Sequence, residues 1–189
     1  MMKNYLGWSA VVAALTLLTA GPALAQATGG SAPAAFPPTS FLTPAKATWE
    51  STRGLVLGIA EIFPEDKYDF KPTPAVRTLR ENLIHLIGEN YFFFSKVTGE
   101  TLPSNARFNE LKTRDEILKE LRASYEYDAK VWDTLTEAKA LELVEGRNNQ
   151  KVQRWSFILG AIQDNMNHYG NLVVYARLNG LVPPRSAGR

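Results

Sequence analysis

The sequence predicts an all-α fold, a bundle of four amphipathic helices that follows an N-terminal leader. Four long stretches carry apolar residues at spacings of three and four, as helices with one buried face do. Capping or terminating residues bound these stretches, and no credible alternating strand pattern separates them. The chain has 189 residues with 45% hydrophobic and 21% charged residues, enough for one domain with its own core.

The first 25 residues have the features of an export signal. Lys3 gives a basic start, and Leu6 to Ala20 is an apolar run too short to span a bilayer comfortably. A Gly-Pro pair breaks this run just before the small-x-small cleavage site Ala23-Leu24-Ala25. Cleavage leaves Gln26 as the mature N-terminus; the alternative is an uncleaved membrane anchor. We therefore expect a periplasmic or secreted protein with no stable membrane span after cleavage.

The composition limits the chemistry available to an exported chain. There is no cysteine, so disulfides and thiolate ligands are excluded and any metal must be held by nitrogen and oxygen. Loss of the signal removes only Lys3 among the charged residues and leaves a nearly neutral chain without a basic block. This argues against nucleic acid as a partner, because phosphate binding needs clustered Lys and Arg.

The first two helices are predicted from cap-and-proline signals. Residues 26–42, rich in Ala, Gly, Ser, Thr and Pro, form a flexible leader. The first helix begins at Thr43-Pro44 and runs to about Phe63. After a proline-rich loop over 64–74, Thr73 and Pro74 repeat the signal and predict a second helix from about Ala75 to Val97.

The apolar stripes of these two helices predict their buried faces. The first stripe is Trp49, Thr52, Val56, Ile59 and Phe63, and the second is Leu79, Leu83, Leu86, Asn90 and Phe94. His85 lies well off the centre of the second stripe, on the face that carries Glu89. It is therefore not simply a core histidine.

The last two helices complete the bundle, and the predicted domain spans 43–184 with a tail at 185–189. Thr113 and Glu116 form a capping box that opens a third helix ending near Thr136. A polar connection without clear periodicity follows over 137–149. The fourth helix is predicted from about Lys151 to Asn179 and stops at Gly180, with two prolines beyond.

A candidate metal site follows from the two histidines of the chain. Asp164 and His168 are four residues apart, so they lie one turn apart on the same face of the fourth helix. With His85 from the second helix they would supply two imidazoles and one carboxylate, an open site that suits zinc or iron(II). The alternative is that all three are ordinary hydrogen-bonded polar residues.

Two regions of the sequence carry a family resemblance. They are FPEDKYDFKPTPAVRTLRENLIHLIGENYFF, Phe63 to Phe93, and HYGNLVVYARLNGLVPP, His168 to Pro184. Together they resemble the signature regions of the DinB-like family of four-helix bundle proteins, in its exported bacterial branch. The resemblance covers the mature domain from the first helix onward. It implies a divalent metal, usually zinc or nickel, bound by one histidine of the second helix and two of the last.

One ligand position departs from the family pattern. The resemblance places ligands at His85 and His168, but the middle histidine of the family is Asp164 here. The site either survives with altered charge or has lost its metal. Asn171 stands where a glutamine is common, and Gly170 where a small residue lets the helices pack closely.

Glu89 is the one candidate catalytic residue. It lies one turn from His85 and could act as a general base or orient the imidazole. An ordinary surface glutamate is the alternative.

Three further residues near the predicted site have two interpretations each. Tyr169 and Tyr175 either donate hydrogen bonds into a pocket or pack in the core. Arg77 either binds an anionic substrate or ties Asp66 or Asp69 to the start of the second helix.

Two functions from different classes fit these observations. One is a metal-dependent hydrolase or transferase with an unknown small-molecule substrate, since relatives implied by the resemblance include thiol-dependent transferases and isomerases. The other is a non-catalytic exported bundle that binds a small molecule or a protein and has lost its metal. The resemblance also implies a homodimer.

Overall fold

The computed structural model describes residues 36–188. The predicted signal peptide and its cleavage site lie outside the described residues, as does most of the predicted leader. Within 36–188, no helix combines the length and apolar character needed to cross a membrane.

Four long helices account for most of the described chain, which confirms the all-α bundle. The helices are α1 (Leu42–Glu61), α2 (Leu79–Thr98), α3 (Arg114–Thr134), a short α4 (Glu137–Leu141) and α5 (Trp155–Leu178). Two short strands, β1 (Leu143–Glu145) and β2 (Lys151–Gln153), pair between α4 and α5. Single 3-10 turns occur at Glu65–Lys67, Asn105–Glu110, Arg147–Asn149 and Pro184–Ser186.

The helices alternate around the bundle so that α1 and α2 both pack against α3 and α5. Helix α3 runs antiparallel to α1: the Arg114 guanidinium at its start donates to Phe63 O just past the end of α1 (2.9 Å). At the opposite end, Lys46 of α1 lies 3.6 Å from Asp133 of α3. The first and third helices therefore face each other head to tail.

Helices α2 and α3 run parallel, whereas α2 and α5 run antiparallel. The Tyr91 hydroxyl donates to Glu120 at 3.1 Å, and further along both helices Thr98 lies 3.5 Å from the Tyr127 hydroxyl. The loop carbonyl just before α2 accepts from Tyr175 near the end of α5, at 2.7 Å. The bundle is therefore up-down-down-up, an order that the sequence left open.

The predicted stripes form the core. All five residues of the α1 stripe and all five of the α2 stripe are buried, as predicted. Three buried polar side chains link helices across this core: Asn90 donates to Ser124 at 3.0 Å, and Asn165 donates to Asn90 at 2.9 Å. Tyr125 donates to the same Asn165. This network fixes α5 against α2 and α3 one residue away from Asp164.

The predicted start of the second helix is wrong by four residues. Thr78, not Thr73, is the cap: its hydroxyl accepts from Glu81 N at 3.1 Å, and the Glu81 carboxylate accepts from Thr78 N at 2.7 Å. This reciprocal pair satisfies two backbone donors, which the Thr73-Pro74 signal could not match. Residues 73–77 therefore remain a loop. Thr43 is not a cap either, because α1 begins at Leu42 and the Thr43 hydroxyl donates back to Pro37 O at 2.8 Å.

The predicted polar connection over 137–149 is wrong in part, because it contains α4 and β1, and β2 takes the place of the predicted start of the last helix. Val144 pairs with Val152 in an antiparallel register, and Asn148 and Asn149 make the turn with positive φ. Strands of three residues are too short to show an alternating pattern. Helix α5 consequently begins at Trp155 rather than Lys151, and it ends as predicted, with Gly180 beyond it at φ 71°.

The implied packing role of Gly170 is also wrong. Gly170 is exposed, and a Cβ added there would meet no atom within 4 Å. The close approaches occur at Gly160, where a Cβ would lie 2.7 Å from the Phe93 ring, and at Gly88, where it would lie 2.9 Å from the Asn105 amide.

Candidate metal centre

The antiparallel contact between α2 and α5 brings the three candidate ligands together. His85 lies in the second turn of α2, and Asp164 and His168 lie one turn apart in the middle of α5. One potential ligand atom from each side chain lies within 4.8 Å of the others. The spacing predicted the Asp164–His168 pair, and the fold brings the third predicted ligand, His85, beside it.

The distances between the potential ligand atoms are somewhat longer than those between the ligands of a bound metal. Asp164 Oδ1 lies 3.7 Å from His168 Nε2, and the two imidazole rings have centroids 4.9 Å apart in an edge-to-face arrangement. Ligand atoms about 2.0–2.1 Å from a tetrahedral zinc lie roughly 3.3 Å apart. Coordination therefore requires an inward movement of at most about 1.5 Å, which half-buried His85 and Asp164 side chains can make by rotation.

The burial of the cluster favours an ion. His168 is buried, and its Nδ1 has no hydrogen-bond partner among residues 36–188. Asp164 Oδ2 is also buried without a partner in the described chain. Buried polar atoms are nearly always satisfied, so two orphaned atoms in one cluster are unusual. A cation at the cluster would offset the cost of burying the Asp164 carboxylate, and the residues present fit a divalent metal with two nitrogen ligands and one oxygen ligand.

The electrostatics of the cluster keep His168 in the form that binds metals. Burial lowers the pKa of the His168 imidazole; the Asp164 carboxylate opposes this shift, and His85 and Arg77 add to it. The imidazole is therefore neutral at neutral pH, and only the neutral ring has a lone pair for a metal.

Glu89 lies beside the cluster rather than in it. Its Oε1 is 3.9 Å from His85 Nδ1, too long for a hydrogen bond. Burial raises the pKa of the Glu89 carboxyl; His85 opposes this shift, Asp164 adds to it and Arg77 opposes it. A raised pKa makes a carboxylate a stronger proton acceptor, which suits a general base beside a metal site. Its catalytic role stays a prediction.

Two grooves share the loop at residues 75–77 as part of their lining. The first, which we call the α2 groove, has a volume of about 710 Å³ and is lined by His85, Glu89 and Lys71 among others. The second, the α5 groove, has a volume of about 650 Å³ and includes His168. One histidine of the cluster therefore lines each groove, and the loop between them belongs to both.

The structure corrects one predicted role of Arg77. Arg80, not Arg77, pairs with Asp69, at 2.8 Å. Arg77 instead lines both grooves, and its backbone carbonyl accepts a hydrogen bond from Tyr175. Tyr175 thus lines the α5 groove but donates to the loop, whereas Tyr169 is buried in the core.

Three asparagines line the α5 groove, and sequence reasoning singled out only one of them. They are Asn82, Asn167 and the predicted Asn171. Asn82 lies three residues before His85, and Asn167 lies four residues before Asn171, so helical spacing from these two predicted residues would have found them.

These observations define a class of protein: a four-helix bundle with a His/Asp/His cluster between its second and last long helices. The chain belongs to the DinB superfamily, whose family model matches residues 48–172. The resemblance seen in the sequence is thereby confirmed. No curated protein matches the chain.

Solved structures show the same fold. A DinB-like protein from Bacillus subtilis is 21% identical over 74% of this chain and 93% of its own, with a TM-score of 0.61. A DinB-like protein from Bacillus cereus is 13% identical over the same shares, with a TM-score of 0.66. A conserved protein from Enterococcus faecalis is 14% identical over 74% of this chain and 97% of its own, with a TM-score of 0.61.

Proposed function

We propose that the chain is an exported DinB-like protein that holds a divalent metal at His85, Asp164 and His168. We further propose that it catalyses hydrolysis or group transfer on a small-molecule substrate. The observation that carries the proposal is the convergence of these three side chains with two buried, unpartnered polar atoms among them. Export follows from the N-terminal signal, with Gln26 as the mature N-terminus in the periplasm or outside the cell.

The family resemblance favours zinc or nickel, and the donor set of two imidazoles and one carboxylate also suits iron(II). When bound, such an ion would polarise a substrate oxygen or lower the pKa of a water molecule. The His85 and Asp164 side chains are only partly buried, so a substrate atom could reach the ion beside the protein ligands.

The other residues of the site have roles that follow from their positions. Glu89, half-buried with a raised pKa, would accept a proton from the substrate or the attacking water. The α2 and α5 grooves would bind the substrate on either side of the cluster. Asn165, which is hydrogen-bonded to Asn90, would hold α5 in the register that the site needs.

Metal content tests this proposal. The untagged mature chain, residues 26–189, is purified as wild type and as the variants His168→Ala, His85→Ala and Gln163→Ala, and each is analysed by elemental mass spectrometry. Gln163 is exposed on the same helix and serves as the matched control. We expect about one equivalent of zinc, nickel or iron in the wild type and in Gln163→Ala, falling at least about tenfold in both histidine variants.

The contradicting outcome is a folded wild-type protein that binds no metal even after incubation with excess ion. Circular dichroism of each variant shows whether the bundle is retained. A metal-free wild type would mean that Asp164 marks a lapsed site, and the chain would then be a non-catalytic bundle that acts by binding a partner.

A further inference from the structure

The α5 groove has an unusual charge pattern. Among the described residues, Arg77 is the one charged side chain that lines it. The remaining polar lining consists of amides, the Tyr175 hydroxyl and the His168 imidazole. The α2 groove differs, because two glutamates there oppose Lys71 and Arg77. The α5 groove is therefore positively charged, through one guanidinium.

The Arg77 guanidinium is free to bind a ligand. No carboxylate of residues 36–188 lies within 4.0 Å of it, whereas Arg122 and Arg154 each pair with a glutamate at 2.8 Å. Arg77 is exposed. An arginine without a structural partner at the edge of a groove can present its fork of N–H donors to a planar anion.

The backbone beneath Arg77 is fixed relative to the candidate metal ligands. The Tyr175 hydroxyl donates to Arg77 O at 2.7 Å, and the Tyr175 ring is held edge-on by Phe70 at 6.0 Å. Tyr175 lies seven residues, or two helical turns, beyond His168 on the same face of α5. The loop that carries Arg77 is therefore attached to the helix that carries two of the candidate ligands.

We propose that the α5 groove binds a carboxylate group of the substrate through Arg77. Asn167 and Asn171 would add neutral hydrogen bonds, and the rest of the substrate would extend toward His168. Arg77 is the one cation among the described side chains that line this groove, and a single guanidinium matches the charge of a carboxylate monoanion better than that of a phosphate dianion. The link from this groove to catalysis rests on the proposed function, but the binding of the carboxylate does not.

Binding of a minimal ligand pair tests the inference. Propionate and propionamide have nearly the same shape and differ in charge, and each is titrated into the mature chain while backbone amide resonances are followed by NMR. The chains compared are wild type, Arg77→Gln, Arg77→Lys and the control Arg177→Gln, in metal-free and zinc-loaded form. Arg177 is an exposed arginine on α5 that lines neither groove.

We expect propionate, and not propionamide, to shift the resonances of Asn167, Asn171 and Tyr175. Affinity should fall at least about tenfold in Arg77→Gln, because a charge-assisted hydrogen bond is lost. It should fall less in Arg77→Lys, which keeps the charge, and stay within about twofold in Arg177→Gln.

Four outcomes would overturn the inference: no binding of propionate to the wild type, equal binding by Arg77→Gln, equal binding of propionamide, or tighter Arg77-dependent binding of inorganic phosphate. These outcomes are separate from failure of the metal proposal. If zinc fails to load but propionate binds through Arg77, the metal proposal fails alone. If zinc loads fully and Arg77→Gln binds propionate like the wild type, only the carboxylate site fails.

Discussion

At the scale of single residues, Asp128 is a charged side chain buried in the core, and its burial lowers the stability of the fold. It is 0% exposed, and neither carboxylate oxygen has a hydrogen-bond partner within the described part of the chain. Burial raises the pKa of the Asp128 carboxyl well above its usual value, and Trp49 and Arg53 only partly oppose this shift. The Trp49 indole N–H does not reach hydrogen-bond geometry with the carboxylate. Asp128 therefore destabilises the folded state whenever it is ionised.

The pH dependence of stability follows from this shift. Because the folded-state pKa lies above the unfolded value near 3.8, the folded state holds the proton over a pH range where the unfolded state has released it. The free energy of unfolding therefore falls as the pH rises from about 4 toward the folded-state pKa. Below pH 4 both states are protonated and the penalty is absent.

Replacing Asp128 with asparagine should remove the penalty. We expect Asp128→Asn to raise the free energy of unfolding at pH 7 by about 1–3 kcal/mol, measured by urea denaturation. At pH 3.5 the variant and the wild type should agree, because a protonated carboxyl resembles an amide. The control is Asp133→Asn on the same helix, whose exposed pair with Lys46 contributes little. Equal free energies of unfolding for Asp128→Asn and the wild type at both pH values would show that the buried Asp128 carboxyl does not lower stability.

At the scale of secondary-structure elements, α5 contains two glycines with opposite surroundings, one closely packed and one open. Gly160 lies under the Phe93 ring, where a Cβ would come within 2.7 Å. Gly170 is ten residues further along the helix and faces open space. Glycine inside a helix lowers stability because it loses more conformational entropy on folding than alanine does. Close packing requires a glycine at Gly160 but not at Gly170.

Alanine substitutions should therefore have opposite effects at these two positions. We expect Gly170→Ala to stabilise the protein by about 0.5–1 kcal/mol, because it removes the entropic cost of glycine without a clash. Gly160→Ala should destabilise it, because Phe93 must move. Urea denaturation of both variants measures the two signs. Loss of stability in Gly170→Ala would mean that Gly170 packs against another element after all.

The elements that the sequence predicts well are those with strong local signals. The Thr113–Glu116 capping box and the buried stripe from Trp49 to Phe63 appear in the structure as expected. The start of α2 was misplaced because two signals compete within six residues, and the box at Thr78 satisfies more backbone donors. The β-hairpin was missed because its strands have three residues each.

Helical spacing and the family resemblance predicted the ligands of the candidate metal site but not the α5 groove. The interval from Asp164 to His168 puts both side chains on one face of α5, and the family resemblance adds His85. The α5 groove was not predictable, because its one charge belongs to a loop whose position depends on the hydrogen bond from Tyr175, 98 residues away in sequence. Periodicity carries no information about such a contact.

At the scale of the whole molecule, the relative directions of the helices bring the three candidate metal ligands together. Parallel α2 and α3 require a connection that returns along the bundle for roughly 30 Å, the length of a 20-residue helix. Residues 99–113 make this connection and pack on α2, where Asn105 donates to Gly88 O at 3.2 Å. The last helix can then run antiparallel to α2, which sets His85 opposite Asp164 and His168.

Anomalous diffraction tests the central claim that this arrangement forms one metal site. Crystals of the mature chain are soaked in zinc, and data are collected on both sides of the zinc absorption edge. We predict a single strong anomalous peak between α2 and α5, about 2.0–2.2 Å from one atom each of His85, Asp164 and His168. A peak that contacts His168 without His85, or no peak between these helices at full zinc occupancy elsewhere, would contradict the claim.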